Sequence, residues 1–185
     1  MNLPNFLSLL RIFSVPILIW LVIENHLTAA LIVFALSGLT DALDGYLAKR
    51  LQMETELGRH LDPLADKLLL LSGYITVTVL GLLPLWLTLL VVTRDVVIIG
   101  GAVVYQMLTG ALRIEPLWVS KWNTVNQMLL LFWVLYTANG HFATFWLDAL
   151  IALTAFTTCL SGGSYVLRWS RLAAEQERLK QHDRA

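Results

Sequence analysis

The sequence predicts an all-α, polytopic membrane protein of six transmembrane helices with both termini on the cytoplasmic side. Three observations lead there. Of its 185 residues 57% are hydrophobic and only 14% charged, with a mean hydropathy of +0.69, against about 45–50% apolar in soluble domains. Six apolar stretches, each near the roughly 20 residues a bilayer span requires, follow one another along the chain. The breaks between them alternate between those without lysine or arginine and those that carry them.

The spans fall at Phe6–Ile23, Leu27–Ala48, Leu57–Leu80, Leu85–Leu108, Val119–Ala138 and Phe142–Trp169. Glu24-Asn25-His26 ends the first, the polar run Gln52–Glu56 the second and Gly81 to Pro84 the third. Gly110 to Pro116 closes the fourth and Asn139-Gly140-His141 the fifth; Gly, Pro and Asn punctuate four of the breaks, and polarity marks the run Gln52–Glu56. The breaks at 24–26, 81–84 and 139–141 hold no lysine or arginine. Lys49, Arg50 and Arg59 flank the second break, Arg113 and Lys121 the fourth, and Arg168, Arg171, Arg178, Lys180 and Arg184 the C-terminus. Basic residues concentrate in cytoplasmic loops, which places these breaks and both termini inside. An even number of spans agrees.

One domain, 1–185, is expected, with a polar tail from about 170 to 185 and no internal repeat or linker. The start lacks both the basic leader with a small-residue cleavage site of a secretory signal and an Arg/Ser-rich transit segment. A bacterial inner membrane is the expected location. Thirteen basic against thirteen acidic residues give zero net charge, so no positive excess exists for nucleic acid. The single cysteine, Cys159, excludes an intrachain disulfide framework and reads as a small apolar helix residue. Trp86, Trp146 and Trp169, near span ends, read as interfacial anchors.

Charges inside spans are costly, about 2.5–3.5 kcal/mol each at a helix centre. The second and third spans nevertheless carry Asp41, Asp44, Asp62 and Asp66; four such carboxylates left unpaired cost on the order of 10 kcal/mol. Asp41 and Asp44, three apart, share one helix face, as do Asp62 and Asp66, four apart. Asp44 and Asp62 are each nine residues from Met53, the middle of the break, and Asp41 and Asp66 are twelve and thirteen away. In an antiparallel hairpin the two pairs therefore sit at matching depths, roughly 13–20 Å from the turn. Four carboxylates facing one another require cations among them, and oxygen ligands without His or Cys suit Mg²⁺, Mn²⁺ or Ca²⁺. Gly45 and Gly58, beside the carboxylates, fit either close approach of a ligand or tight helix packing.

Written out, the segment is Asp41-x-x-Asp44-Gly45-x-x-Ala48-Lys49, eight residues, Gly58, three residues, Asp62, three residues, Asp66. It resembles the signature of the CDP-alcohol phosphatidyltransferases, D-x2-D-G-x2-A-R-x8-G-x3-D-x3-D, with Lys49 in place of the arginine. That exchange keeps the charge and loses the planar fork that binds phosphate. The resemblance implies attack of an acceptor hydroxyl on the β-phosphoryl group of a CDP-alcohol, with CMP leaving. It implies Mg²⁺ or Mn²⁺, two ions per site, held by Asp41, Asp44, Asp62 and Asp66. Asp66 would also act as general base, while Gly45, Ala48 and Gly58 make room for the nucleotide and Lys49 meets its phosphates. A homodimer is a family expectation.

The remaining signals narrow the acceptor. Pro4-Asn5-x-x-Ser8-x-x-Arg11 resembles the opening of the branch shared by phosphatidylglycerophosphate and cardiolipin synthases. Thr93-Arg94-Asp95-Val96, Ser120-Lys121-x-Asn123-Thr124-x-x-Gln127 and Thr154-Ala155-Phe156-Thr157-Thr158 resemble the CMP-forming cardiolipin synthases. The expected substrates are thus CDP-diacylglycerol and phosphatidylglycerol. The sister reaction takes glycerol 3-phosphate, whose near-dianionic phosphate calls for more cations than this chain offers there. Asn123, where the sister branch has lysine, suits hydrogen bonds to an uncharged glycerol end. Arg94 and Lys121 are candidate phosphate ligands. Arg94 and Asp95 can instead pair structurally, Lys121 can snorkel to the surface, and His60 reads as a bystander. Two rivals fit less well: a UbiA-type prenyltransferase would place a second acidic motif far along the chain, and a cation transporter would commonly show inverted repeats.

Overall fold

The computed structural model of the chain describes residues 3–51, 56–109, 118–140 and 144–182. Side chains 3–7, 42–51, 56–63, 106, 108–109, 144–145 and 172–182 lie outside that description. Six helices stand where the six apolar stretches do: α1 Leu3–Ile23, α2 Leu27–Leu51, α3 Glu56–Val79, α4 Leu85–Thr109, α5 Trp118–Ala138 and α6 Thr144–His182. No strand occurs among the described residues. The longest, α6, carries the helix 13 residues past Trp169 into the polar tail.

Among the described residues two helices contain a segment long and apolar enough to cross a membrane, Leu85–Tyr105 and Trp146–Arg171. α1 and α2 offer shorter apolar runs, Ser8–Ile23 and Leu27–Asp41. Polar residues dilute the others: the aspartates and Lys67 in α3, and Lys121, Asn123, Asn126 and Gln127 in α5. The outer surface is apolar, with Phe13, Trp20, Leu85, Met107, Trp122, Phe156 and Leu167 all exposed. So large an exposed apolar surface is unusual for a monomer in water and is what lipid contact leaves uncovered.

α1 packs on α2 and α3, α6 packs on α4 and α5, and α5 reaches across to α2 and α3. The core joins Leu18 and Val22 of α1, Phe34 of α2, Leu69, Tyr74 and Val77 of α3, Leu87 and Val91 of α4, and Leu130, Leu131 and Val134 of α5. Gly73 lets α3 and α5 meet closely: a Cβ there would lie 2.5 Å from Leu131 Cδ2. Tyr74 carries its hydroxyl into this contact and donates it to the Gln127 carbonyl at 3.1 Å. Trp86 and Trp146 are exposed near helix ends, as interfacial anchors are. Trp169 differs: its ring packs 5.1 Å from that of Tyr105, against Gly101, where a Cβ would come within 2.8 Å of the indole nitrogen. It fills the α4–α6 contact instead of anchoring an end.

The breaks at 24–26 and 81–84 are tight reversals, and α5 ends in the same way at Asn139 and Gly140. Asn25, Gly81 and Gly140 each adopt a positive φ, of 59°, 75° and 88°, which ends a helix in the left-handed conformation. At Asn25 the His26 amide returns to the Leu21 carbonyl at 2.8 Å and the Asn25 amide to Val22 at 3.1 Å. At Gly81 the matching pair runs from Leu82 to Val77 and from Gly81 to Thr78, both 2.9 Å. These bonds satisfy carbonyls that the helix ends would otherwise leave unpaired. Thr28, at the start of α2, donates to Asn139 Oδ1 at 2.7 Å, fastening α2 to the end of α5. The tight turns fix the register of the hairpins, and hence which polar residues face one another further along.

Candidate active site

Asp41 lies on α2 and Asp66 on α3, and the two meet on a residue of α1. Arg11 is buried at 2% exposure, and its Nη1 lies 2.7 Å from Asp41 Oδ1 and 2.7 Å from Asp66 Oδ1. The two carboxylate oxygens therefore lie within twice that distance of each other. Their side chains keep an open side, 33% and 24% exposed, while that of Arg11 is at 1%. The guanidinium thus backs the pair from inside the bundle. One turn along, Ser14 donates to the Arg11 carbonyl at 2.6 Å and Ser37 of α2 donates to Ser14 at 3.0 Å.

The first and last aspartates of the signature, 26 residues end to end, are thereby brought together as the hairpin spacing predicts. Asp44, Gly45, Ala48 and Lys49 lie on α2, and Gly58, His60 and Asp62 on α3; their side chains fall outside the described residues. Among the described residues no group of three or more His, Cys, Asp or Glu is placed to hold a metal ion. The donors that are described are hard, anionic oxygens, the kind Mg²⁺ and Mn²⁺ prefer.

Spacing alone did not assign a role to Arg11, although it was within the Pro4-to-Arg11 run. The signal was present: an arginine inside an apolar span is functional or paired by default, and four carboxylates demanded a cation. Lys67 was missed as well. It follows Asp66 directly and pairs with Asp95 Oδ2 of α4 at 3.0 Å.

From Asp95 a polar network runs into the other half of the bundle. Arg94 is buried at 6% exposure and donates from Nη1 to Asp95 Oδ1 at 2.6 Å. Its Nε and Nη2 donate to Ser161 Oγ of α6 at 3.1 and 2.6 Å, and Nη2 also reaches Ser120 Oγ of α5. Arg94 therefore ties three helices together, with its donors directed at protein groups. Lys121 points outward, exposed, with Nζ 5.0 Å above the Trp118 ring. Asn123 is fully buried, and its Oδ1 accepts from Thr157 and Thr158, both at 2.9 Å. The three candidate acceptor ligands are thus not gathered at one point. Arg94 and Asn123 belong to the α5–α6 seam, and Lys121 belongs to the surface.

That seam has a regular register. Ser120 and Ser161 meet at Arg94 and Asn123 meets Thr158; the same antiparallel register, continued one turn, brings buried Gln127 to the level of buried Thr154. Asn123 Nδ2, Gln127 Nε2 and Thr154 Oγ1 are buried and without a hydrogen-bond partner among the described residues. Apart from Ser161, these residues come from the three short runs that resembled cardiolipin synthases.

Comparison with known proteins agrees with the signature. The CDP-alcohol phosphatidyltransferase family profile matches residues 1–161, and the chain belongs to that family. It is 38% identical over 181 residues to the human cardiolipin synthase (CMP-forming), covering 89% of this chain and 60% of the human protein. A Streptomyces coelicolor protein of the same description is 41% identical over 105 residues, 54% of this chain and 49% of that one. A probable phosphatidylglycerophosphate synthase of Mycobacterium tuberculosis is 33% identical over 176 residues, 90% of this chain and 81% of that one. The chain spans about three fifths of the length of the human relative.

Proposed function

We propose that the chain is a CMP-forming cardiolipin synthase, moving the phosphatidyl group of CDP-diacylglycerol onto phosphatidylglycerol. The observation that carries this reading is the convergence of Asp41 and Asp66 on one guanidinium nitrogen, within a family signature. In the reaction, a hydroxyl of the acceptor glycerol forms a new bond to the β-phosphorus, the pyrophosphate bond breaks, and CMP departs with the bonding pair. Asp66 receives the hydroxyl proton. Asp41, Asp44, Asp62 and Asp66 would hold Mg²⁺ or Mn²⁺, two ions per site, which supply charge neutralisation at the pyrophosphate. Gly45, Ala48 and Gly58 leave room for the nucleotide, and Lys49 meets its phosphates.

The acceptor follows from similarity to cardiolipin synthases and from the neutral α5–α6 seam. Asn123 Nδ2 and Gln127 Nε2 are donors suited to hydroxyl oxygens, not to a second phosphate dianion. All six helices cross the membrane in this reading, the tight reversals outside and both termini in the cytoplasm of a bacterium. The active site then opens to the cytoplasm, where the nucleotide is. Two copies form a homodimer.

CMP release by the purified protein decides the matter, with CDP-diacylglycerol and Mg²⁺ or Mn²⁺ and either phosphatidylglycerol or glycerol 3-phosphate. Release with phosphatidylglycerol, and cardiolipin as product, is the expected result. Release with glycerol 3-phosphate alone would move the chain to the sister activity, as the Mycobacterium tuberculosis relative invites. Ion flux without CMP release would favour a transporter.

A further inference from the structure

Among the described residues Arg11 is the least exposed charged side chain at the site, at 1%, and it touches the signature carboxylates of Asp41 and Asp66. Its position answers a question the metals leave open. A membrane hairpin that concentrates carboxylates must survive synthesis, insertion and any interval without bound ions, and like charges so close repel strongly where water is scarce. A guanidinium does not lose its proton in proteins, so its charge is always present. The carboxylates are partly exposed while Arg11 is walled in, so an arriving cation can reach them without displacing the guanidinium. Arg11 can therefore remain where it is when the site fills.

We propose that Arg11 is the built-in counter-cation of the site, a positioning residue that keeps α1, α2 and α3 assembled around Asp41 and Asp66 before any metal binds. The protein then presents a formed site to the ion instead of being folded by it. The metal part of this inference rests on the function proposed above; the counter-charge part does not. A purely structural arginine would stabilise the α1–α2–α3 contact equally with and without metal. A counter-cation matters most when no other cation is there.

The test is thermal unfolding of the full chain in detergent, in EDTA and in millimolar Mn²⁺. Arg11→Gln should lower the Tm in EDTA by roughly 5–15 °C, and Mn²⁺ should restore most of that loss. Arg11→Lys, which keeps the charge, should stay near the parent. The double variant Arg11→Gln/Asp66→Asn removes one of the repelling carboxylates and should regain stability in EDTA over Arg11→Gln alone. Ser37→Ala, a neutral loss on the same α1–α2 interface, should show one small shift in both conditions. Equal losses for Arg11→Gln in EDTA and Mn²⁺, with no recovery in the double variant, would overturn the proposal. Recovery in the double variant with no Mn²⁺ effect on any chain would support the counter-cation and overturn the metal reading. Should Arg11→Gln not fold at all, folding of the double variant supports the proposal and its failure to fold overturns it.

Discussion

The two halves of the bundle bury polarity in opposite ways. Around α1, α2 and α3 it is ionic: a guanidinium shared by two carboxylates that stay partly open. Between α5 and α6 it is neutral and closed: Asn123 with Thr157 and Thr158, and buried Gln127 at the level of buried Thr154. Arg94 stands between them, paired with Asp95 on one side and the Ser120 and Ser161 hydroxyls on the other. The ionic cluster has strong internal forces and keeps carboxylate oxygens partly open beside a fixed guanidinium. The neutral seam gains about 1 kcal/mol per hydrogen bond, and its buried donors are the ones proposed to meet acceptor hydroxyls. Reactivity suits the first environment, discrimination the second.

Substitutions on the two sides should separate accordingly. The largest effect belongs to Asp66→Asn, which removes the proposed proton acceptor: CMP release should fall roughly 10²–10⁴-fold, with CDP-diacylglycerol binding largely kept. Activity near that of the parent would take the base role from Asp66. Arg94→Met comes next. It strips Asp95 of one partner and leaves two serines unmet between packed helices, a loss of about 3–5 kcal/mol, seen as a Tm lower by roughly 6–20 °C. A shift that small residues on the surface also give would mean that Arg94 is not a structural tie. Asn123→Leu should cost least, about 1–3 kcal/mol, since Thr157 can still donate to the Thr154 carbonyl, 3.2 Å away. Its sharper readout is acceptor choice: phosphatidylglycerol use should drop more than the hydrolysis or exchange of CDP-diacylglycerol. Equal loss in both would make the seam a packing feature only.

Much of this was readable before the structure. Hydropathy located all six helices because apolar length and Gly, Pro and Asn breaks are local properties; Asn25, Gly81 and Gly140 fell in the breaks as anticipated. Asp41 and Asp66 could be matched because a hairpin turns distance along the chain into depth. Arg11 was not matched in the same way: its pairing with Asp66 spans 55 positions and helices not joined by a short turn, although its pairing with Asp41 crosses the α1–α2 reversal and was open to the same depth count. The α5–α6 seam was visible as residue types but not as a seam. Asn123 was read as facing a substrate, and its Oδ1 turns out to serve two threonines of α6. Trp169 read as an anchor because tryptophan near a span end usually is one; the small side of Gly101 made an interior place for it instead.

The reversals at Asn25 and Gly81, with the Thr28–Asn139 bond beside them, have a mechanical consequence. Helices pinned together at one end behave as levers with a shared fulcrum. Arg11, Asp41 and Asp66 sit twelve to fourteen residues from that end, about 20 Å along their helices. A tilt of only about 3° at the turns moves them about 1 Å relative to one another, a displacement that can change a rate a hundredfold. The leverage of the fold thus makes its most distant turns the fine adjustment of its chemistry.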